Sequence, residues 1–296
     1  MCTTPAEAAA CGFGARLAAA VATRGPLCAG IDPHPDLLHD WGLGDDVAGL
    51  ERFSQQAVAA LASEVALIKP QAAFYERHGA RGIAVLERVL AACRQAGALV
   101  LLDVKRGDIG STMAGYAAAY LRDGAPLAAD AITVSPYPGM GALEGTFELA
   151  RRTGRGVFVV ALTSNPEAAA IQGALTRSGT SVAQSVVDEV AARNAGGRPG
   201  DLGVVVGVSA RARALRLSGM NGPILAPGIG AQGARLTELP SIFGAATRQV
   251  VPAISRDLLR HGPGVAPLRQ AARRMTEQVT TVCRIESEPV AEGPPG

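Results

Sequence analysis

Apolar residues in this chain gather into short unbroken runs, separated by longer stretches in which they recur every three or four positions. The runs are Pro26–Asp32, Val65–Gln71, Leu99–Lys105, Ala131–Tyr137, Gly156–Thr163, Leu202–Val208, Pro223–Gly228 and Gln249–Ser255. Being apolar on successive positions rather than alternate ones, they predict parallel strands covered on both faces. The intervening stretches read as amphipathic helices. Over Arg81–Arg94, Ile83, Leu86, Val89, Leu90 and Cys93 share one face while Arg81, Glu87, Arg88 and Arg94 lie off it, and Val182, Val186 and Val190 repeat at helical spacing. Eight strands alternating with helices predict an α/β fold, a (β/α)8 TIM barrel in a single domain. A doubly wound dinucleotide-binding sheet fits less well, because no GxGxxG follows the first strand.

The pattern also sets the expected boundaries: a helical lead-in over 1–25, the barrel over 26–285, and a flexible tail over 286–296. The connection 164–180 (SNPEAAAIQGALTRSGT) is long enough to fold over a ligand. At 296 residues the length suits one large domain. Charged residues make up 18% and net charge is +2, which argues against a nucleic-acid partner. No run approaches the ~18 apolar residues of a membrane span, and the first 25 residues lack a signal peptide's pattern. The five cysteines, Cys2, Cys11, Cys28, Cys93 and Cys283, contain no CxxC and suggest neither a disulfide framework nor a zinc site. A cytoplasmic location is the expectation.

Among 28 Lys and Arg residues only Lys69 and Lys105 are lysine, and both end strand-like runs. A guanidinium stays protonated, whereas an ammonium is a compact charge that can lend its proton. Lysine retained in so arginine-rich a chain therefore points to chemistry. Most of the other runs also end in polar or glycine-rich residues: Asp32, Asp103, Ser135, Thr163 with Ser164, Ser209, Gly228 to Gly230, and Ser255 with Arg256. In a barrel of this class these ends form the active-site face.

The richest segment is LLDVKRGDIGST, Leu101 to Thr112. Strand alternation points Asp103 and Lys105 the same way, and a carboxylate beside an amine favours the ammonium that a proton donor requires. Asp108 adds a second carboxylate, and Ser111 is placed to cap the following helix. The stretch PGIGAQG, Pro227 to Gly233, is a candidate phosphate loop, with Arg256 as its bidentate partner. Although DPHPDLLHD, Asp32 to Asp40, holds two His and three Asp, its spacing matches no metal-ligand motif.

DVKRGDIGST resembles the Asp-x-Lys-x-x-Asp signature of the orotidine 5'-phosphate decarboxylase family. The segments AGIDPHPDLL, LIKPQAAFYERHG, TVSPYPG and LAPGIGAQG resemble that family's longer bacterial branch. The likeness runs from Arg16 to about Ala272. It implies a homodimeric barrel with shared active sites that converts orotidine 5'-phosphate to UMP, the last step of de novo pyrimidine synthesis, without metal or cofactor. By position it implies Lys105 as proton donor and Asp103 as the carboxylate beside the scissile group. Asp108 and Thr112 would reach the partner subunit's site. Asp32 and Lys69 would hold ribose hydroxyls, Ser164 the pyrimidine, and Gly228, Gly230, Gln232 and Arg256 the phosphate. Ser255 departs from the glycine many relatives carry. The need for a charge that meets and then protonates a localised carbanion supports Lys105 independently. Three alternatives stay open on residues alone: a magnesium-dependent sugar-phosphate lyase, though Lys69 stands where its acidic ligand belongs, a Schiff-base aldolase, and a non-catalytic phosphate-binding barrel.

Overall fold

The computed structural model describes residues 11–196, 198–230 and 233–284. Eight parallel strands close into one barrel in chain order. They are β1 (Cys28–Ile31), β2 (Leu67–Pro70), β3 (Leu99–Arg106), β4 (Ala131–Val134), β5 (Gly156–Leu162), β6 (Leu202–Val206), β7 (Ile224–Pro227) and β8 (Val250–Ile254). Each lies within or against its predicted run. Seven are buried along nearly their whole length, as strands sandwiched between a barrel interior and covering helices must be.

The helices Val47–Leu61, Gly79–Gln95, Gly110–Leu121, Glu144–Arg152, Val182–Arg193 and Val265–Arg284 carry most of the outer layer. On Gly79–Gln95 the inward face centres on Val85, Leu86, Val89, Leu90 and Cys93, so Ile83 lies at its edge, not in it. The alternation thins late in the chain. Only a 3-10 turn, Ala210–Ala214, separates β6 from β7, and a five-residue helix, Leu239–Phe243, lies between β7 and β8. Among the described residues no helix is long and apolar enough to cross a membrane.

Two apolar clusters result. One lies between strands and helices. The other fills the barrel with Cys28, Leu67, Leu101, Ala131, Phe158, Val205, Leu225 and Val251, one inward row per strand. The lead-in does more than precede the barrel: its helix, Phe13–Arg24, closes the bottom with Phe13 and Leu17. Phe13 meets Phe158 edge to face, with ring centroids 5.9 Å apart, a favourable quadrupole geometry. A Cβ on Gly156 would come within 2.3 Å of that Phe13 ring, so only glycine lets the helix seat. Arg16 donates to Asp130 at 2.6 Å beside it. Cys28, Cys93 and Cys283 are buried free thiols. Cys11, against the expectation from cysteine spacing, is disulfide-bonded. The proposed tail, 286–296, and Gln232 lie outside the described residues.

Candidate active site

Strand side chains alternate, so the inward rows that fill the barrel continue upward into whatever the strand ends carry. On β1 the row is Cys28, Gly30, Asp32; on β2 it is Leu67 then Lys69; on β3 Leu99, Leu101, Asp103; on β4 Ala131 then Thr133; on β8 Val251, Ala253, Ser255. Each row changes from apolar to polar near the strand's C-terminal end. A cavity of about 400 Å³ opens there, lined by Asp32, His34, Lys69, Gln71, Asp103, Lys105, Thr133, Ser164, Gly228 and Arg256 among others. Val160, Val205 and Leu225 form its apolar floor.

Charges of alternating sign cross this cavity. The Lys69 ammonium lies 3.6 Å from Asp32 Oδ1 and 3.3 Å from Asp103 Oδ2, and the Lys105 ammonium lies 2.6 Å from Asp103 Oδ1. Burial alone would push the Asp103 carboxyl upward. The two ammoniums and hydrogen bonds from Lys105 and Thr133 outweigh it and hold Asp103 down at about 2. Burial alone would likewise lower Lys69, but Asp32 and Asp103 more than offset that and raise it, so Lys69 stays charged. Below them burial pushes the Cys28 thiol up to about 12, which leaves it neutral and no nucleophile. Lys105 differs from Lys69 in exposure: its side chain is 45% accessible, against 8%. One lysine is walled in by carboxylates while the other presents its ammonium to the cavity.

Of the other predicted residues, Asp32, Ser164, Gly228 and Arg256 line the cavity. Gly230 does not: its N–H donates to the Ala234 carbonyl at 2.8 Å, and at φ +77° a Cβ there would lie 1.8 Å from Asp257 Oδ2. Asp108 and Thr112 also stand outside the cavity of their own chain. Asp108 Oδ1 accepts the Ile109 N–H at 2.8 Å, and Thr112 is exposed on the first turn of Gly110–Leu121. That helix has no side-chain cap, so Ser111, already inside it, does not serve as one. The 164–180 connection is ordered into turns and a Leu175–Ser181 bridge, anchored by Thr163 N–H to Gln172 Oε1 at 2.9 Å.

Sequence reasoning missed Thr133, Gln71, His34 and Phe74. Ser135 follows the end of its strand at Val134 and spends its N–H on Arg106 O at 2.8 Å, whereas Thr133, two residues earlier on the same inward row, lines the cavity. A hydroxyl two residues inside an apolar run was the available signal. His34 packs its ring on Phe74 at 4.2 Å, and burial is the chief reason its pKa is lowered. Asp32 Oδ1 and Ser255 Oγ are buried without a hydrogen-bond partner, and both residues line the cavity. Such atoms mark where a polar ligand would be held. Among the described residues no group of three or more His, Cys, Asp or Glu is arranged to hold a metal ion.

Known proteins resemble this chain along most of its length. The family described as "Orotidine 5'-phosphate decarboxylase / HUMPS family" matches residues 25–271. The orotidine 5'-phosphate decarboxylase of Salinispora arenicola is 58% identical over 264 residues, covering 89% of this chain and 95% of its own. That of Streptomyces coelicolor is 56% identical over 270 residues, covering 91% and 97%. A crystal structure from Streptomyces avermitilis carrying the same enzyme name superposes with a TM-score of 0.90 at 56% identity, covering 93% of this chain and 96% of that one.

Proposed function

The chain belongs to the orotidine 5'-phosphate decarboxylase / HUMPS family, and from that membership we propose how its residues remove carbon dioxide from orotidine 5'-phosphate to give UMP. It is a carboxy-lyase of pyrimidine biosynthesis. Cleavage of the bond between ring and carboxylate leaves the electron pair on the ring carbon as carbon dioxide departs. Lys105 supplies the proton that ends on that carbon, and its ammonium lowers the energy of the developing charge beforehand. Asp103, 2.6 Å from the Lys105 ammonium, aims it and stands beside the departing carboxylate. The amine then regains its proton from solvent.

Asp32 and Lys69 hold the ribose hydroxyls, and Asp32 Oδ1, which accepts no hydrogen bond, supports that role because a hydroxyl donor would satisfy it. Ser164 reads the pyrimidine edge, while Arg256, Gly228 and Gln232 take the phosphate. The protein works as a homodimer in which Asp108 and Thr112 complete the partner's site. The exposed apolar side chain of Ile109 (64% accessible), which follows Asp108 directly, supports a partner surface there.

The observation that carries this reading is the row Asp32, Lys69, Asp103, Lys105 at the barrel mouth, with one ammonium open to the cavity. The test follows the absorbance of orotidine 5'-phosphate with purified, chelator-treated protein. Wild type should turn over, and Lys105→Ala should lose at least about a thousandfold in rate while keeping its fold. Turnover that requires added magnesium, or a Lys105→Ala variant within about tenfold of wild type, would overturn it.

A further inference from the structure

The geometry points to Thr133 as the positioning residue that holds Lys105, and with it Asp103, in the reactive arrangement; the inference rests on Lys105 being the proton donor. The parallel ladder is interrupted at β3. Between β3 and β4, Leu101 pairs with Ala131 and Leu102 with Ile132, but the next pairing is Arg106 with Val134. Three residues of β3, Asp103, Val104 and Lys105, therefore stand opposite the single residue Thr133. A regular ladder has no acceptor for the extra amides, and buried amides must be satisfied.

The Thr133 hydroxyl satisfies them. Its Oγ1 accepts the Val104 N–H at 3.0 Å and the Lys105 N–H at 2.9 Å, and its own proton goes to Asp103 Oδ1 at 2.7 Å. One donor and two acceptor positions are all a hydroxyl has. The residue is fully buried, so these bonds are held away from bulk water. Lys105 meanwhile adopts φ +45°, a left-handed conformation that non-glycine residues avoid and that persists only where surroundings enforce it. Asp103 Oδ1 is also the atom that receives the Lys105 ammonium at 2.6 Å. The same hydroxyl thus fixes where the lysine leaves the backbone and the carboxylate where its chain ends.

The test compares Thr133→Val, which keeps the shape and removes the hydroxyl, with Thr133→Ser, which keeps the hydroxyl. Thr133→Val should lower kcat at least about tenfold with KM within about threefold, since the loss falls on the reacting geometry and not on capture. Thr133→Ser should stay within about threefold of wild type in both. Amide hydrogen exchange provides a readout independent of activity. In wild type and Thr133→Ser, the Val104 and Lys105 amides should be protected at least about a hundredfold over the open-chain rate. Equal kcat losses in the two variants, more than about a third of wild-type kcat in Thr133→Val, or open-chain exchange at Val104 and Lys105 in wild type would each overturn the inference. Should Thr133→Val not fold, wild-type exchange and Thr133→Ser kinetics still decide it. Wild type inactive on orotidine 5'-phosphate, but with both amides protected, would instead sink the functional reading.

Discussion

Replacing Lys69 by Met removes the cation that separates two carboxylates and leaves its stem volume nearly filled. Lys69 lies 3.3 Å from Asp103 and 3.6 Å from Asp32, with side-chain accessibilities of 8%, 9% and 16%. At an effective dielectric near 20 each contact is worth about 5 kcal/mol, against which stands a desolvation cost of several kcal/mol per buried ion. Intact, the array is therefore close to balanced. Broken, it is not: Asp103 keeps Lys105, but Asp32 loses the cation beside its Oδ1, which accepts no hydrogen bond. Lys69→Met should cost about 3–5 kcal/mol at pH 7, a fall of about 1–1.5 M in urea midpoint for a chain of this size. Trp41 is the one tryptophan of the sequence, is buried, and donates its Nε1–H to Leu259 O at 3.0 Å, so its fluorescence reports unfolding. Adding Asp32→Asn to Lys69→Met should recover about 1–3 kcal/mol relative to the sum of the single losses. A loss below about 1 kcal/mol, or single effects that add to within about 0.5 kcal/mol, would refute the ionic coupling.

Three further outcomes are expected. If Asp108 serves the partner's site, Lys105→Ala and Asp108→Ala subunits, each inactive alone, should regain activity on subunit exchange, because one site of the heterodimer lacks neither group; unchanged inactivity would place Asp108 in its own chain's site. Arg256→Ala should lower kcat/KM for the nucleotide by about a hundredfold or more, yet leave the slow reaction of the phosphate-free nucleoside nearly unchanged; equal losses on both would remove Arg256 from the phosphate site. Asp103 has a folded-state pKa of about 2, below its ordinary 3.8, so its contribution of about 2 kcal/mol is complete above about pH 4 and lost as pH falls toward 2. Urea midpoints between pH 5 and 2 should fall less steeply in Asp103→Asn, and identical slopes would refute that assignment.

Much of the architecture was legible because a parallel barrel writes itself as continuous apolar runs, a signal local enough to survive without knowledge of neighbours. The same locality made Lys69, Asp103 and Lys105 visible, since two lysines in an arginine-rich chain both end such runs. Where long-range packing decides, sequence reasoning failed. Nothing in FGARLAAAVATR states that the first helix seats Phe13 against Phe158 beneath the barrel. The shortfall of helices after β6 was equally hidden, because a short irregular connection carries no period to read. Ser135 displaced Thr133 in the sequence reading for a similar reason. Counting from the end of an apolar run finds the last polar residue, whereas the point at which the strand stops, and so which residue of the inward row still lines the cavity, is set by pairing with the neighbouring strands. The alternation of charge through Asp32, Lys69, Asp103 and Lys105 belongs wholly to the folded state, since three separate strands contribute it. The sequence by itself determined which residues could do chemistry and roughly where each strand would end. Tertiary structure alone decided which ammonium is walled in and which is open, because accessibility and pairing depend on contacts between segments distant in the chain.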